Sequence, residues 1–312
     1  MPARAPSPAT RRLACLLLVV ALLAAACGDD AGSGASGGSL SVVTTTTVLT
    51  DFANVIGGDR VRVHGVLKPN VDAHDYEPSA KDLDSMRSAR VIVKNGVHLE
   101  SWFDDAAAAS GTKATIVDVS AGIRLRAADD RQESSERDPH IWHDPRNAKQ
   151  MVATMLAAFV VADPSGAPVY EANAARYSAG LDALDVEIAA QIAKLPNKKL
   201  VTNHDAFGYY VERYGLEFIG SIIPSFETSA EVSASALADL VDEIKAQGVK
   251  AVFAESSLPS KVAKTIANEA GVKVVDGEGA LYGDGLGTAK SPGGTYLGMM
   301  RHNTTTIVDN LG

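Results

Sequence analysis

The sequence predicts an α/β protein: two lobes of mostly parallel sheet with flanking helices, joined by one long helix. Three observations carry this. Short β-branched, apolar segments alternate with helical patterns from residue 41 onward. An unbroken helical pattern then occupies 167–194, the longest in the chain. The alternation restarts at 199 and continues to the end. Strand–helix alternation is the signature of parallel sheets layered with helices, and two runs flanking one helix imply two lobes.

In the first run, 41–46 reads as a strand and leads into a helix closed by Gly57-Gly58. Residues 61–67 read as a strand. Short apolar strands at 90–94 and 114–119 bracket an Ala-rich helix at about 99–109. Asp144-Pro145 is an N-cap followed by proline at the first helical position, opening a helix to about 161. Pro196-Asn197 stops the long helix. In the second run, strands are expected at 199–202, 216–223, 251–254 and 272–275. Helices are expected at 206–214, 229–246, 260–270 and 294–311; Gly248 and Gly271 stand just past two of them.

The first 27 residues read as an export signal. Arg4, Arg11 and Arg12 precede an apolar run at 13–26 of signal-peptide length, too short to span a bilayer comfortably. Ala24-Ala25-Ala26-Cys27 followed by Gly28-Asp29-Asp30 resembles a bacterial lipobox, in which Cys27 becomes the lipidated first residue. The usual leucine lies one place early, at Leu23. The alternative is an ordinary cleavage site with an incidental cysteine. Residues 28–39 (GDDAGSGASGGS) form a flexible tether. The expected organisation is therefore signal peptide 1–27, tether 28–39, N-terminal lobe 40–164, linking helix 165–196 and C-terminal lobe 197–312. The mature chain is expected on the outer face of the cytoplasmic membrane, held by its lipid.

Composition narrows the function. With 29 Lys+Arg against 38 Asp+Glu the formal charge is −9, and aromatic residues make up 5 %. Phosphate backbones are bound by Lys and Arg and single strands by aromatic platforms, so nucleic acid is excluded as a partner. A cation suits the charge. The two cysteines, Cys15 and Cys27, both lie at or before the expected cleavage, so the body has no disulfide, no cysteine metal site and no thiol nucleophile.

Three of the seven histidines share one kind of location. His74 follows a strand in a polar loop, His140 precedes a capped helix, and His204 lies at a strand-to-helix turn. Each has an acid beside it, which suits a metal ligand whose ring orientation is fixed by a hydrogen bond. His64 falls inside a strand pattern and His302 inside the last helix. His98 reads equally as structural. His143, three residues after His140, is either an auxiliary ligand, a group supporting the ligands, or exposed.

Six segments in order, 72–78 (DAHDYEP), 138–142 (DPHIW), 202–209 (TNHDAFGY), 254–257 (AESS), 281–287 (LYGDGLG) and 296–303 (YLGMMRHN), resemble the zinc- and manganese-binding receptors of bacterial ABC importers. The likeness spans about 40–311. It implies two α/β lobes on a rigid helix, with a divalent metal held between them by His74, His140, His204 and Asp284. It also implies a membrane permease as partner and a monomeric carrier with no catalytic residues. Glu255 would support a ligand or fix a lobe. The sequence departs from the family at Ala73, where proline is usual, and at His143, where an apolar residue is usual. The stretch 127–138 (AADDRQESSERD) is acidic but lacks the histidines that many zinc members carry there.

Three imidazoles and one carboxylate favour Zn2+, with Mn2+ as the alternative. Two further classes remain: a receptor for a chelated metal or organic ligand, which would place arginines or aromatics in the cleft, and a zinc hydrolase, which needs an open coordination position. No HExxH or GxSxG motif occurs.

Overall fold

The computed structural model describes residues 39–127 and 137–312. The signal, the lipobox with Cys27, the tether through residue 38 and most of the acidic stretch lie outside the described residues. No described helix is long and apolar enough to cross a membrane.

The first half is built on four parallel strands: β1 (Leu40–Thr44), β2 (Val61–Gly65), β3 (Val91–Lys94) and β4 (Thr115–Asp118), in the order β2-β1-β3-β4. The central strands β1 and β3 are buried almost throughout, which is why they read as continuous apolar runs rather than alternating ones. Helix α1 (Thr47–Gly57) starts where Thr46 accepts a hydrogen bond from the Leu49 N–H.

Helix α2 (Ala80–Ser88) has no counterpart in the sequence reading. Met86 is its only buried apolar side chain, so it shows no apolar stripe. Its readable signal was the reciprocal cap between Ser79 and Asp82. Helix α3 (Phe103–Ser110) begins later than expected. The turn before it runs through three consecutive left-handed residues, Gly96 (φ 86°), Val97 (φ 55°) and His98 (φ 62°). That conformation is costly for a β-branched residue. The buried Glu100 carboxylate holds the turn by accepting from the Asn95 and Gly96 N–H groups and from the Thr45 hydroxyl.

Helix α4 (Pro145–Ala162) opens as read, with Asp144 accepting from the Arg146 N–H. Helix α5 (Ala167–Ile192) follows and is 26 residues long, about 39 Å at the usual rise. Tyr170, Ala174, Tyr177, Leu181, Leu184, Ile188 and Ile192 are buried along one face at three- and four-residue spacing.

In the second half, β5 (Lys199–His204) pairs in parallel with β6 (Glu217–Ile223), and β7 (Ala251–Phe253) with β8 (Lys273–Val275). Strands β5 and β7 lie side by side. Helices α6 (Gly208–Tyr214), α7 (Ala234–Gln247) and α8 (Lys261–Ala270) flank them, and α9 (Tyr296–Leu311) ends the chain. Helix α7 starts at its Ser233 cap, five residues later than expected.

The fold is thus α/β, with parallel sheets before and after a long helix. Its largest apolar core is continuous through both halves: Phe52 and Trp142 from the first, Tyr177 and Leu184 from α5, and Phe207, Leu281 and Leu286 from the second share it. Smaller cores lie under the outer layer of each half.

Candidate metal centre

Each of the three loop histidines is aimed by its own local bonds. His74 follows β2. Its N–H donates to Asp72 Oδ1 (2.9 Å), and its carbonyl accepts from Ser101 Oγ (3.2 Å). Trp102 Nε1 donates to the Ala73 carbonyl (3.1 Å). His140 lies just before a 3-10 turn, Ile141–His143. Asp138 Oδ1 accepts from both its backbone N–H (2.9 Å) and its Nδ1 (2.8 Å). The other Asp138 oxygen accepts from Arg126 Nη1 at 2.5 Å. His204 ends β5, and Glu255 Oε1 accepts from its backbone N–H and from its Nδ1, each at 3.0 Å.

A carboxylate accepts but cannot donate, so the Nδ1 atoms of His140 and His204 carry their protons. Their Nε2 atoms are then the free ligating positions. His74 Nδ1 similarly faces Glu227 Oε2 at 3.3 Å.

The three Nε2 atoms meet over one carboxylate. His140 Nε2 is 3.3 Å from both His74 Nε2 and His204 Nε2. Asp284 Oδ1 is 3.8 Å from His74 Nε2, 3.4 Å from His140 Nε2 and 3.2 Å from His204 Nε2. One donor atom from each of the four residues lies within 4.8 Å of all the others, and all four residues are buried. Neither Asp284 oxygen has a hydrogen bond of ordinary geometry with any described residue. Imidazole lone pairs turned on one another beside an unsatisfied carboxylate form an unfavourable group unless a cation or protons lie among them.

The electrostatics agree. Burial works against the charged form of His74, but Asp284 and Glu227 outweigh it and hold its pKa up to about 9. Burial likewise opposes a charged His204, yet the Asp284 and Glu255 carboxylates hold it well above the ordinary range. Asp284 is held far below the carboxylate range; burial opposes this, and the facing imidazoles prevail. The site can therefore exchange protons for a metal ion.

The structure brings His74, His140, His204 and Asp284 together and sets Glu255 behind His204. His143 does not join them and is not exposed. It is fully buried, and its Nε2 donates to the Gly283 carbonyl at 3.0 Å. Burial, and then the nearby His140, push its pKa down to about 3, so it is neutral. His64 bonds Asp82 (2.8 Å) and His302 bonds the Ala280 carbonyl (3.0 Å). His98 is exposed and lines a cavity of about 300 Å³ with Val97, Arg137, Pro139, Phe226 and Glu227. Glu227, which stands between this cavity and His74, escaped the sequence reading. It lies in the irregular loop after β6, where no local pattern marks it. Arg126 escaped for the same reason: its partner Asp138 is across an acidic stretch.

The chain matches the family described as zinc-uptake complex component A, periplasmic (ZnuA), over residues 42–310. It is 34 % identical over 268 residues to the manganese-binding lipoprotein MntA of Bacillus subtilis, covering 84 % of this chain and 87 % of that one. It is 29 % identical over 267 residues to the iron-binding protein YfeA of Yersinia pestis, covering 85 % and 84 %. Among solved structures, the periplasmic zinc-binding protein TroA of Treponema pallidum superposes with a TM-score of 0.81 at 30 % identity, covering 88 % of this chain and all of that one.

Proposed function

The chain belongs to the periplasmic zinc-uptake component A family, and from that premise we propose that it captures a divalent transition metal outside the cytoplasm and delivers it to the permease of an ABC importer. The observation that carries this is the buried convergence of three Nε2 atoms on Asp284. His74, His140, His204 and Asp284 are the ligands in this reading, with Asp138, Glu227 and Glu255 holding the rings. Four protein donors close the coordination sphere, which suits a carrier and leaves no position for an activated water. The relatives' names span manganese, iron and zinc. Nitrogen-rich sites bind Zn2+ more tightly than Mn2+, so zinc is the preferred cargo by donor chemistry. Two free oxygens on Asp284 keep manganese as the second candidate.

Proton exchange tests the reading. In the metal-free protein His74 and His204 are held protonated at neutral pH, and a ligating imidazole must be neutral. Zinc must then displace protons, so affinity rises with pH up to about 9, the value for His74. The unperturbed histidine value of about 6.5 would place that rise lower. Calorimetric titration with Zn2+ in buffers of different ionisation heat should record proton release at neutral pH. Binding without proton release would contradict the site described here.

Anchoring through a lipid on Cys27 belongs to the same proposal and is supported by the lipobox-like sequence and the lipoprotein relative. Cys27→Ser should move the protein from membrane to soluble fractions while leaving metal affinity unchanged. A variant that stays with the membrane refutes the anchor.

A further inference from the structure

Asp284 lies in the C-terminal half of the sequence, but its loop is fastened on both sides to the N-terminal half. Up to Tyr282 the chain is held by C-terminal elements. The Leu281 N–H donates to the Ala254 carbonyl (2.9 Å), and the Ser256 N–H to the Leu281 carbonyl (2.8 Å). The Asn303 amide brackets Tyr282, accepting from its N–H and donating to its carbonyl, each at 2.9 Å. At Gly283 the partners change. Its carbonyl accepts from Trp142 Nε1 (3.2 Å) and from His143 Nε2 (3.0 Å). Two residues beyond Asp284, the Leu286 N–H donates to Thr47 Oγ1 (2.7 Å).

The burial of His143 needs a reason. Its ring packs on Phe207 with centroids 4.5 Å apart and is fully enclosed, and its Nδ1 has no hydrogen-bond partner among the described residues. A phenyl ring would fill that space without the cost of an unsatisfied nitrogen. What a phenyl ring lacks is the Nε2–H donated to Gly283.

We propose that His143 is a positioning residue for Asp284: together with Trp142 it fixes the Gly283 carbonyl, so that the loop bearing Asp284, built on C-terminal elements, is held in place beside His74 and His140. This rests on the metal-site reading above.

A double-mutant cycle tests it. Zinc affinity is measured by chelator competition for the parent, His143→Phe, Asp284→Ala and the double variant. Groups that orient a metal ligand typically contribute about 10- to 100-fold in affinity, and His143→Phe is expected to lose that much in the parent background. In the Asp284→Ala background it should lose almost nothing, because the residue it acts through is gone. His143→Gln, which keeps a side-chain N–H, should recover part of the loss. An equal loss in both backgrounds, or none in the parent, overturns the inference while leaving the metal site intact. A parent that binds no zinc, or an Asp284→Ala variant that binds like the parent, overturns the site and the inference together. If His143→Phe does not fold, Trp142→Phe removes the other donor to the same carbonyl and enters the same cycle with the same two outcomes.

Discussion

Replacing His204 with alanine is expected to weaken zinc binding by about 100- to 1000-fold, if the roughly 10–16 kcal/mol typical of a four-ligand zinc site is shared among its ligands. His204 Nε2 stands 3.2 Å from Asp284 Oδ1 and 3.3 Å from His140 Nε2, within the donor cluster. It is also the one ligand borne by β5 and backed by Glu255. Its loss therefore removes a nitrogen donor and leaves the C-terminal half with a single carboxylate, Asp284, in the donor cluster. Asp284→Ala removes the only ligand charge but leaves three imidazoles, a set that still holds zinc with water in the fourth position. His204→Ala should consequently cost at least as much as Asp284→Ala. Chelator competition with Zn2+ measures both, and a His204→Ala protein that binds like the parent contradicts the assignment.

The second large effect is expected at Glu255. This carboxylate is buried, and Oε1 accepts from the His204 backbone N–H and ring N–H at 3.0 Å each. Glu255→Ala leaves two buried donors unpaired, a cost of about 1–3 kcal/mol each at the usual scale. It also frees the imidazole to turn or to move its proton to Nε2, where it would block the metal. The metal-free protein should unfold at a lower temperature, and zinc affinity should fall about 10- to 100-fold. Glu255→Gln keeps one acceptor oxygen and should lie between. Thermal unfolding with and without zinc separates the two effects. Unchanged zinc affinity in Glu255→Ala would show that His204 needs no such support.

The three histidines were legible because each lies in a short polar loop at a strand end or helix start with an acid nearby; Asp72 and Asp138 bond the His74 and His140 segments, whereas His204 is held by Glu255, 51 residues away. Asp284 had no such signal. Only the likeness of residues 281–287 to the metal receptors drew attention to it. Glu227 was invisible because the contact that gives it meaning, with His74, spans two separate loops. His143 could be placed at a helix start, but its burial and its bond to Gly283 depend on a residue 140 positions away. The two sheets and long helix followed from the alternation of elements. The core running unbroken through both halves did not, because an apolar stripe announces that a face is buried and not what buries it. The contacts of the Asp284 loop were hidden for a related reason: Asp284 follows the long helix in sequence, and Thr47, Trp142 and His143, to which its loop is tied, all precede it.

X-ray absorption at the zinc edge, on protein loaded with one zinc per chain, tests the central claim most directly. The account predicts a first shell of nitrogen and oxygen at about 2.0–2.2 Å, with the outer-shell scattering of three imidazole rings. A loaded protein whose zinc shows one imidazole or none would contradict it.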